Sequence, residues 1–149
     1  MTHPISTTYL DEQIARASAA LPAAGAFDAT PVEMFCSGFE KVLLFIKYDE
    51  DAGATNGAVT IRIEFSPDST GAVWHRASIY AAGTLTPGAD VSSDVQREDF
   101  VYDPPGAAAE YFLYGPIALD GIVQRMRVLC AESGDVSNPG VCEVEARFS

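Results

Sequence analysis

The stretch "KVLLFIKYDEDAGATNGAVTIRIEF", Lys41 to Phe65, decides the fold class. Its two ends, Lys41–Tyr48 and Ala58–Phe65, are short runs of β-branched and aromatic residues whose apolar and polar positions alternate with period two. That alternation puts every second side chain on one face of a strand, whereas a helix needs spacings of three and four. Between the runs lies "DEDAGATNG" (Asp49–Gly57), made of residues that tolerate tight turns and positive φ. The default reading of that segment is a solvated acidic hairpin tip.

Further runs of the same kind follow: "AVWHRASIYA" (Ala72–Ala81), "VQREDFVY" (Val95–Tyr102), "AEYFLYGPI" (Ala109–Ile117), "IVQRMRVLCA" (Ile122–Ala131) and "VCEVEARF" (Val141–Phe148). Turn-forming clusters separate them, among them "SPDSTG", "TLTPGADVSS", "DPPG" and "SGDVSNPG". No 3.6-residue pattern appears after Gly25. Before it, Leu10, Ile14, Ala17 and Leu21 have helical spacing, but the small residues around them also suit a strand. We expect an N-terminal arm over residues 1–12, a strand near Gln13–Leu21, and one domain over 13–149. The expected class is all-β: an antiparallel two-sheet β-sandwich, jelly-roll-like, of about eight strands.

Composition narrows the classes of function. The 149 residues can bury roughly 70% of their unfolded surface, and 48% hydrophobic content suits a packed domain. With 21 acidic against 9 basic residues the net charge is −12, which repels nucleic-acid backbones and anionic lipid. No window approaches 18 uninterrupted apolar residues, so no membrane span is expected. The N-terminus lacks the basic start and apolar core of a signal peptide. Three cysteines cannot all pair within one chain, which suits a reducing compartment.

The last two runs suggest a closing hairpin. Met126, Val128 and Cys130 share parity, as do Cys142, Val144, Ala146 and Phe148, so both sets should face the core. The outward Arg125 and Arg127 would then pair with Glu145 and Glu143, worth roughly 0.2–1 kcal/mol each. In that register Cys130 and Cys142 lie diagonally, and buried free thiols are favoured over a disulfide.

Sites of chemistry are sparse. His3 and His75 are distant in sequence, and no C-x-x-C spacing marks a zinc site. Asp49–Gly57 has oxygen ligands without the alternation or terminal Glu of an EF-hand loop; a weak Ca²⁺ site is the minor alternative there. No nucleophile elbow, phosphate-binding loop or zinc-protease signature is present. A Cys–His pair with His75 and a pair of carboxylates for glycoside hydrolysis remain formal options without a specific signal. No enzyme activity, catalytic residue, metal or cofactor is expected.

Two places deserve weighing as contact sites. "SPDSTGAVWHR" (Ser66–Arg76) resembles the Asp-box signature, Ser-x-Asp-x-Gly-x-x-Trp, with one residue inserted before Gly71. The resemblance implies that Ser66, Asp68 and Gly71 fix a turn and that Trp74 packs beneath it; an exposed Trp74, beside His75, stacking on a sugar ring is the alternative. In "DFVYDPPGAAAEYFLYGPI" (Asp99–Ile117), Phe100, Tyr102, Tyr111, Phe112 and Tyr114 either fill the space between two sheets or leave some rings exposed for a partner or a sugar. Trp74, His75, Tyr102, Tyr111 and Tyr114 are thus the candidate interface or sugar-stacking residues.

The pattern from residue 18 to the end, with the "SPDSTGAVWHR" turn, the "YGPIAL" segment (Tyr114–Leu119) and the closing "MRVLCAESGDVSNPGVCEVEARFS", resembles small β-sandwich structural proteins of tailed-bacteriophage virions. The resemblance implies a non-enzymatic virion component made in the host cytoplasm, such as a capsid decoration protein or an accessory piece of neck, tail or fibre. Its partners would be major capsid or tail subunits and further copies of itself, in a homo-oligomer. A carbohydrate- or receptor-binding module of a phage tail or fibre is the second expectation.

Overall fold

The computed structural model describes residues 11–76, 79–80, 96–97, 99–104, 108–119 and 121–149. Most of the expected arm, residues 1–10, lies outside them, as does all of "TLTPGADVSS". The strands are β1 (Glu12–Ala20), β2 (Met34–Phe35), β3 (Lys41–Asp49), β4 (Val59–Ser66), β5 (His75–Arg76), β6 (Ile79–Tyr80), β7 (Gln96–Arg97), β8 (Asp99–Tyr102), β9 (Glu110–Ala118), β10 (Arg125–Glu132) and β11 (Val141–Phe148). Of the run Ala72–Ala81, read in the sequence as one strand, the described residues include the two-residue strands β5 and β6.

Sheet A has the order β1-β11-β3-β9; sheet B has β2-β10-β4, with β5 and β8 sharing the outer edge of β4. Every ladder is antiparallel. From β1 to β4, and again from β8 to β11, the chain changes sheet at each connection. That winding makes a two-sheet jelly roll.

The winding corrects two expectations. β3 and β4 are not a hairpin, because they belong to different sheets; the acidic segment between them crosses one end of the sandwich. β10 and β11 are likewise in opposite sheets, so the pairs Arg125–Glu145 and Arg127–Glu143 do not form. Arg127 meets Glu64 across the β10–β4 ladder at 2.8 Å, and Glu143 stands opposite Lys47. Alternation fixes the face on which a side chain lies, but any strand carrying the opposite charge can supply its partner.

The core follows from the alternation. Val42, Leu44, Ile46 and Tyr48 of β3 are at most 2% exposed and meet Val59, Ile61 and Ile63 of β4 and Met126, Val128 and Cys130 of β10. Burying each large aliphatic side chain contributes about 1.5–3 kcal/mol. At the β8–β9 side, Phe100 stacks on Tyr114 and Tyr102 on Phe112, with ring centroids 3.7 and 3.9 Å apart. These four rings close the interlayer space there.

Two buried polar clusters tie the layers together. Glu132 is 1% exposed, and its carboxylate accepts hydrogen bonds from the Tyr48 hydroxyl (2.6 Å) and from the N–H groups of Ala58, Gly134 and Gly140 (2.8, 3.2 and 2.9 Å). Gly134 lies so close to the Asn56 carbonyl that a Cβ has no room there. The cluster pins the β3–β4 and β10–β11 connections at one end of the sandwich. Burial and the Glu132 bond push the Tyr48 hydroxyl pKa above its ordinary value. In the second cluster, Arg16 of β1 holds Asp28 at 3.0 Å and also donates to the carbonyls of Ala19, Ala20 and Cys142. Asp28 in turn accepts the Cys130 N–H at 2.9 Å, linking the two sheets.

Candidate functional site

The two outer faces of the sandwich differ, and the difference locates the site. On sheet B, side chains of odd number on β10 and even number on β4 point outward, and the chain's own segments cover many of them. Phe27 lies on the Arg62 guanidinium at 4.0 Å, while Asp99 holds the same guanidinium at 2.7 Å. Trp74 lies on Arg127 at 4.2 Å, with Glu64 as the counter-charge. Phe35 lies on Arg125 at 4.1 Å. Each arginine is held between a ring and, for the first two, a close carboxylate. Such stacking satisfies both the flat face and the edge of a guanidinium. Leu129, paired with Arg62 in the ladder, is only 8% exposed although it points outward.

Among the described residues no aromatic ring from another segment lies over the outer face of sheet A, where Arg147 and Lys47 stand 5.7 and 5.6 Å from the ring centres of Phe45 and Tyr111. Registers align Ile14, Glu145, Phe45 and Leu113 in one row across all four strands. Three of them are large apolar side chains with 50%, 40% and 60% exposure. The next row toward the Asp49 end runs Glu143, Lys47, Tyr111, and Tyr111 is 73% exposed. A depression of about 250 Å³ sits between these rows, lined by Phe45, Lys47, Tyr111, Leu113, Glu143 and Glu145. Arg147 bonds Glu145 at 2.7 Å and Glu12 at 2.9 Å along one side. An apolar centre with charged flanks is the make-up of a protein contact surface.

The candidate residues from the sequence do not meet in one site. Tyr102 and Tyr114 are in the interlayer stacks, and burial raises the Tyr114 pKa. Trp74 is half-buried on the sheet B side, packed near Gly71 and Arg127; His75 beside it on β5 is exposed. Tyr111 alone stands on the outer face of sheet A. The residues that sequence reasoning missed are Ile14, Phe45 and Leu113. A signal for Phe45 and Leu113 was present, because "KVLLFIKY" and "YFLY" are apolar on both parities, more than a strand with one wet face requires.

The Ser66–Trp74 turn is built by local hydrogen bonds. The Ser66 hydroxyl accepts the Asp68 N–H at 3.1 Å, and Asp68 Oδ1 accepts both the N–H and the hydroxyl of Thr70 at 2.8 and 2.7 Å. Those bonds from Thr70 hold the Asp68 carboxyl below its ordinary pKa. Gly71 closes the turn with φ +67°, a conformation that disfavours a Cβ. Arg125 donates to the Ser69 carbonyl at 2.6 Å and fastens the turn to sheet B.

All three cysteines are free and buried. Cys130 and Cys142 face each other across the interlayer rather than lying diagonally in one ladder. The thiol–thiol hydrogen bond and burial raise the Cys130 pKa, and burial alone pushes the Cys36 thiol up to about 12. Among the described residues no three His, Cys, Asp or Glu side chains converge as a metal site. Asp51 and Asp135, in the loops at the acidic end, accept backbone N–H groups of Gly53 and Thr55 at 2.7 and 3.0 Å. Comparison with protein-family models, with curated proteins and with solved structures finds no match.

Proposed function

We propose that this chain is a non-enzymatic structural protein of a tailed-phage virion, most simply a capsid decoration or stabilising protein, and that it docks on neighbouring subunits through the outer face of sheet A. The observation that carries the docking reading is the contrast between the two faces. On sheet B, Phe27 and Trp74 lie over outward arginines and Phe35 and Val101 are exposed singly, whereas on sheet A Ile14, Phe45, Leu113 and Tyr111 are exposed together in two adjacent rows. Exposing that much apolar surface in one patch is unfavourable unless a partner covers it. The virion assignment itself rests on the resemblance in turn and strand patterning and on the jelly-roll winding, an architecture found in capsid and lectin domains alike. A charge of −12 limits non-specific aggregation of free subunits before assembly.

Mass spectrometry of purified virions tests the assignment: the chain should be present in many copies, and particles lacking it should lose genome at lower temperature. Its absence from particles would refute the assignment. A second reading, a glycan-binding module of a tail or fibre, has one observation in its favour. Tyr111 is exposed beside Glu143, Glu145 and Lys47, an aromatic platform with polar groups at its margin. A glycan array separates the two, since only the second reading expects a signal that Tyr111→Ala abolishes.

A further inference from the structure

We infer that a second copy of this chain seats on the outer face of sheet A, about a two-fold axis running along the Ile14–Glu145–Phe45–Leu113 row. This inference rests on the docking reading above and names its occupant. An isologous contact requires a surface complementary to itself, and the ladder registers let that be checked residue by residue. An axis along this row, lying in the plane of the contact, places the row upon its own copy and exchanges the residues on either side of it.

Three consequences follow from the registers. On the axis, Ile14, Phe45 and Leu113 meet their counterparts, apolar on apolar; Glu145 meets its own counterpart there, and each carboxylate is neutralised by Arg147 of its own chain at 2.7 Å. One step out on β11, Arg147 of one copy lies over Glu143 of the other, because the two residues flank Glu145 symmetrically. At the ends of β3, Lys41 lies over Asp49 of the other copy, because both stand four residues from Phe45. Each ion pair occurs twice. Both lysines of the chain, Lys41 and Lys47, are on this face, Lys47 lying over Leu43 of the other copy; Arg147 already holds Glu145 and Glu12 of its own chain, so Lys41 with Asp49 is the pair that reports the contact.

The area is sufficient. Four strands about 4.8 Å apart and nine residues at about 3.3 Å each give a face of roughly 19 by 30 Å. Two such faces bury on the order of 1,100 Å², above the roughly 1,000 Å² a biological contact should clear and just below the range of stable complexes, about 1,200 Å² and more. Aligned packing of two sheets crosses their strands at about 30°, which displaces the strand ends by several ångströms, within reach of a lysine stem. An interface of this size favours a dimer in the micromolar range rather than a permanent one.

Sedimentation equilibrium of the full chain at about 50 µM, in about 0.15 M salt to screen the like net charges, is the test. The wild type is expected to dimerise reversibly. Leu113→Asp should be monomeric with an unchanged far-UV spectrum. Lys41→Glu and Asp49→Lys should each weaken the dimer about tenfold, since each loses two pairs and gains two repulsions. The double variant should regain wild-type affinity. Lys41 and Asp49 are at opposite ends of one strand and cannot meet within a chain, so the rescue reports contact between copies. A wild type that stays monomeric, a dimer that survives Leu113→Asp, or a double variant no better than the singles overturns the inference. A monomer that is nevertheless abundant in virions would sink this dimer and leave the proposed function standing; a dimer absent from virions would do the reverse.

Discussion

Replacing Glu132 by Ala removes the acceptor for four donors at once: the Tyr48 hydroxyl and the N–H groups of Ala58, Gly134 and Gly140. An unsatisfied buried polar group costs about 1–3 kcal/mol, but the loops can relax and admit water, so the four losses will not add in full. A total of about 4 kcal/mol is the reasoned value. For a chain of 149 residues each kcal/mol moves the melting temperature by about 2–4 °C, so Glu132→Ala should melt roughly 8–16 °C lower. Glu132→Gln keeps the shape and one oxygen but turns an amide donor toward two other donors, and should cost about 2 kcal/mol. Tyr48→Phe loses a single bond, about 1–1.5 kcal/mol. Urea unfolding followed by far-UV circular dichroism measures all three, and the Tyr48→Phe, Glu132→Gln double variant gives the coupling. A Glu132→Ala protein melting within about 2 °C of wild type would refute the reasoning, because the loops would then not depend on this carboxylate.

Other expectations follow from the same structure. Arg16→Ala leaves Asp28 without its cation and should destabilise by about 3 kcal/mol, read by denaturant unfolding; a loss under 1 kcal/mol would mean that the two sheets are not tied there. None of the three thiols should react quickly with a disulfide reagent in the native protein at pH 8, and all three should react once it is unfolded. Because the Cys36 and Cys130 thiols are held neutral by the fold, their contribution is complete below the unfolded thiol value of about 8.5 and declines as pH rises above it. Stability measured from pH 8 to 10 should therefore fall, and less so in Cys36→Ala. Asp68 has the opposite sign: its lowered pKa adds stability above the ordinary carboxylate value of about 3.9, which is lost as pH falls through the lowered one. Asp68→Asn should remove that acid-side slope, an effect visible in melting temperatures between pH 5 and 2.

The strands with long alternating runs, β3, β4, β9, β10 and β11, were legible because one period-two face is the core. The two residues of β2 carry no such period. Strand partners were less legible. Arg127 has a Glu on β4 and another on β11, both suitable, and only the change of sheet after each strand selects Glu64. The stacks of Phe100 on Tyr114 and Tyr102 on Phe112 decide between interlayer filling and exposure, which the sequence left open. Phe45 and Leu113 were hidden for a related reason. A run that is apolar on both faces reads equally as a fully buried strand or as one with an uncovered face, and coverage depends on segments distant in sequence, such as Phe27 and Trp74.

Hydroxyl-radical footprinting of assembled particles against the free chain, diluted well below micromolar concentration so that it is monomeric, tests the central claim most directly. Oxidation of Phe45, Tyr111 and Leu113 should fall sharply on assembly, while Trp74 and Phe35 on sheet B change little. Protection confined to sheet B, or none on either face, would contradict the account.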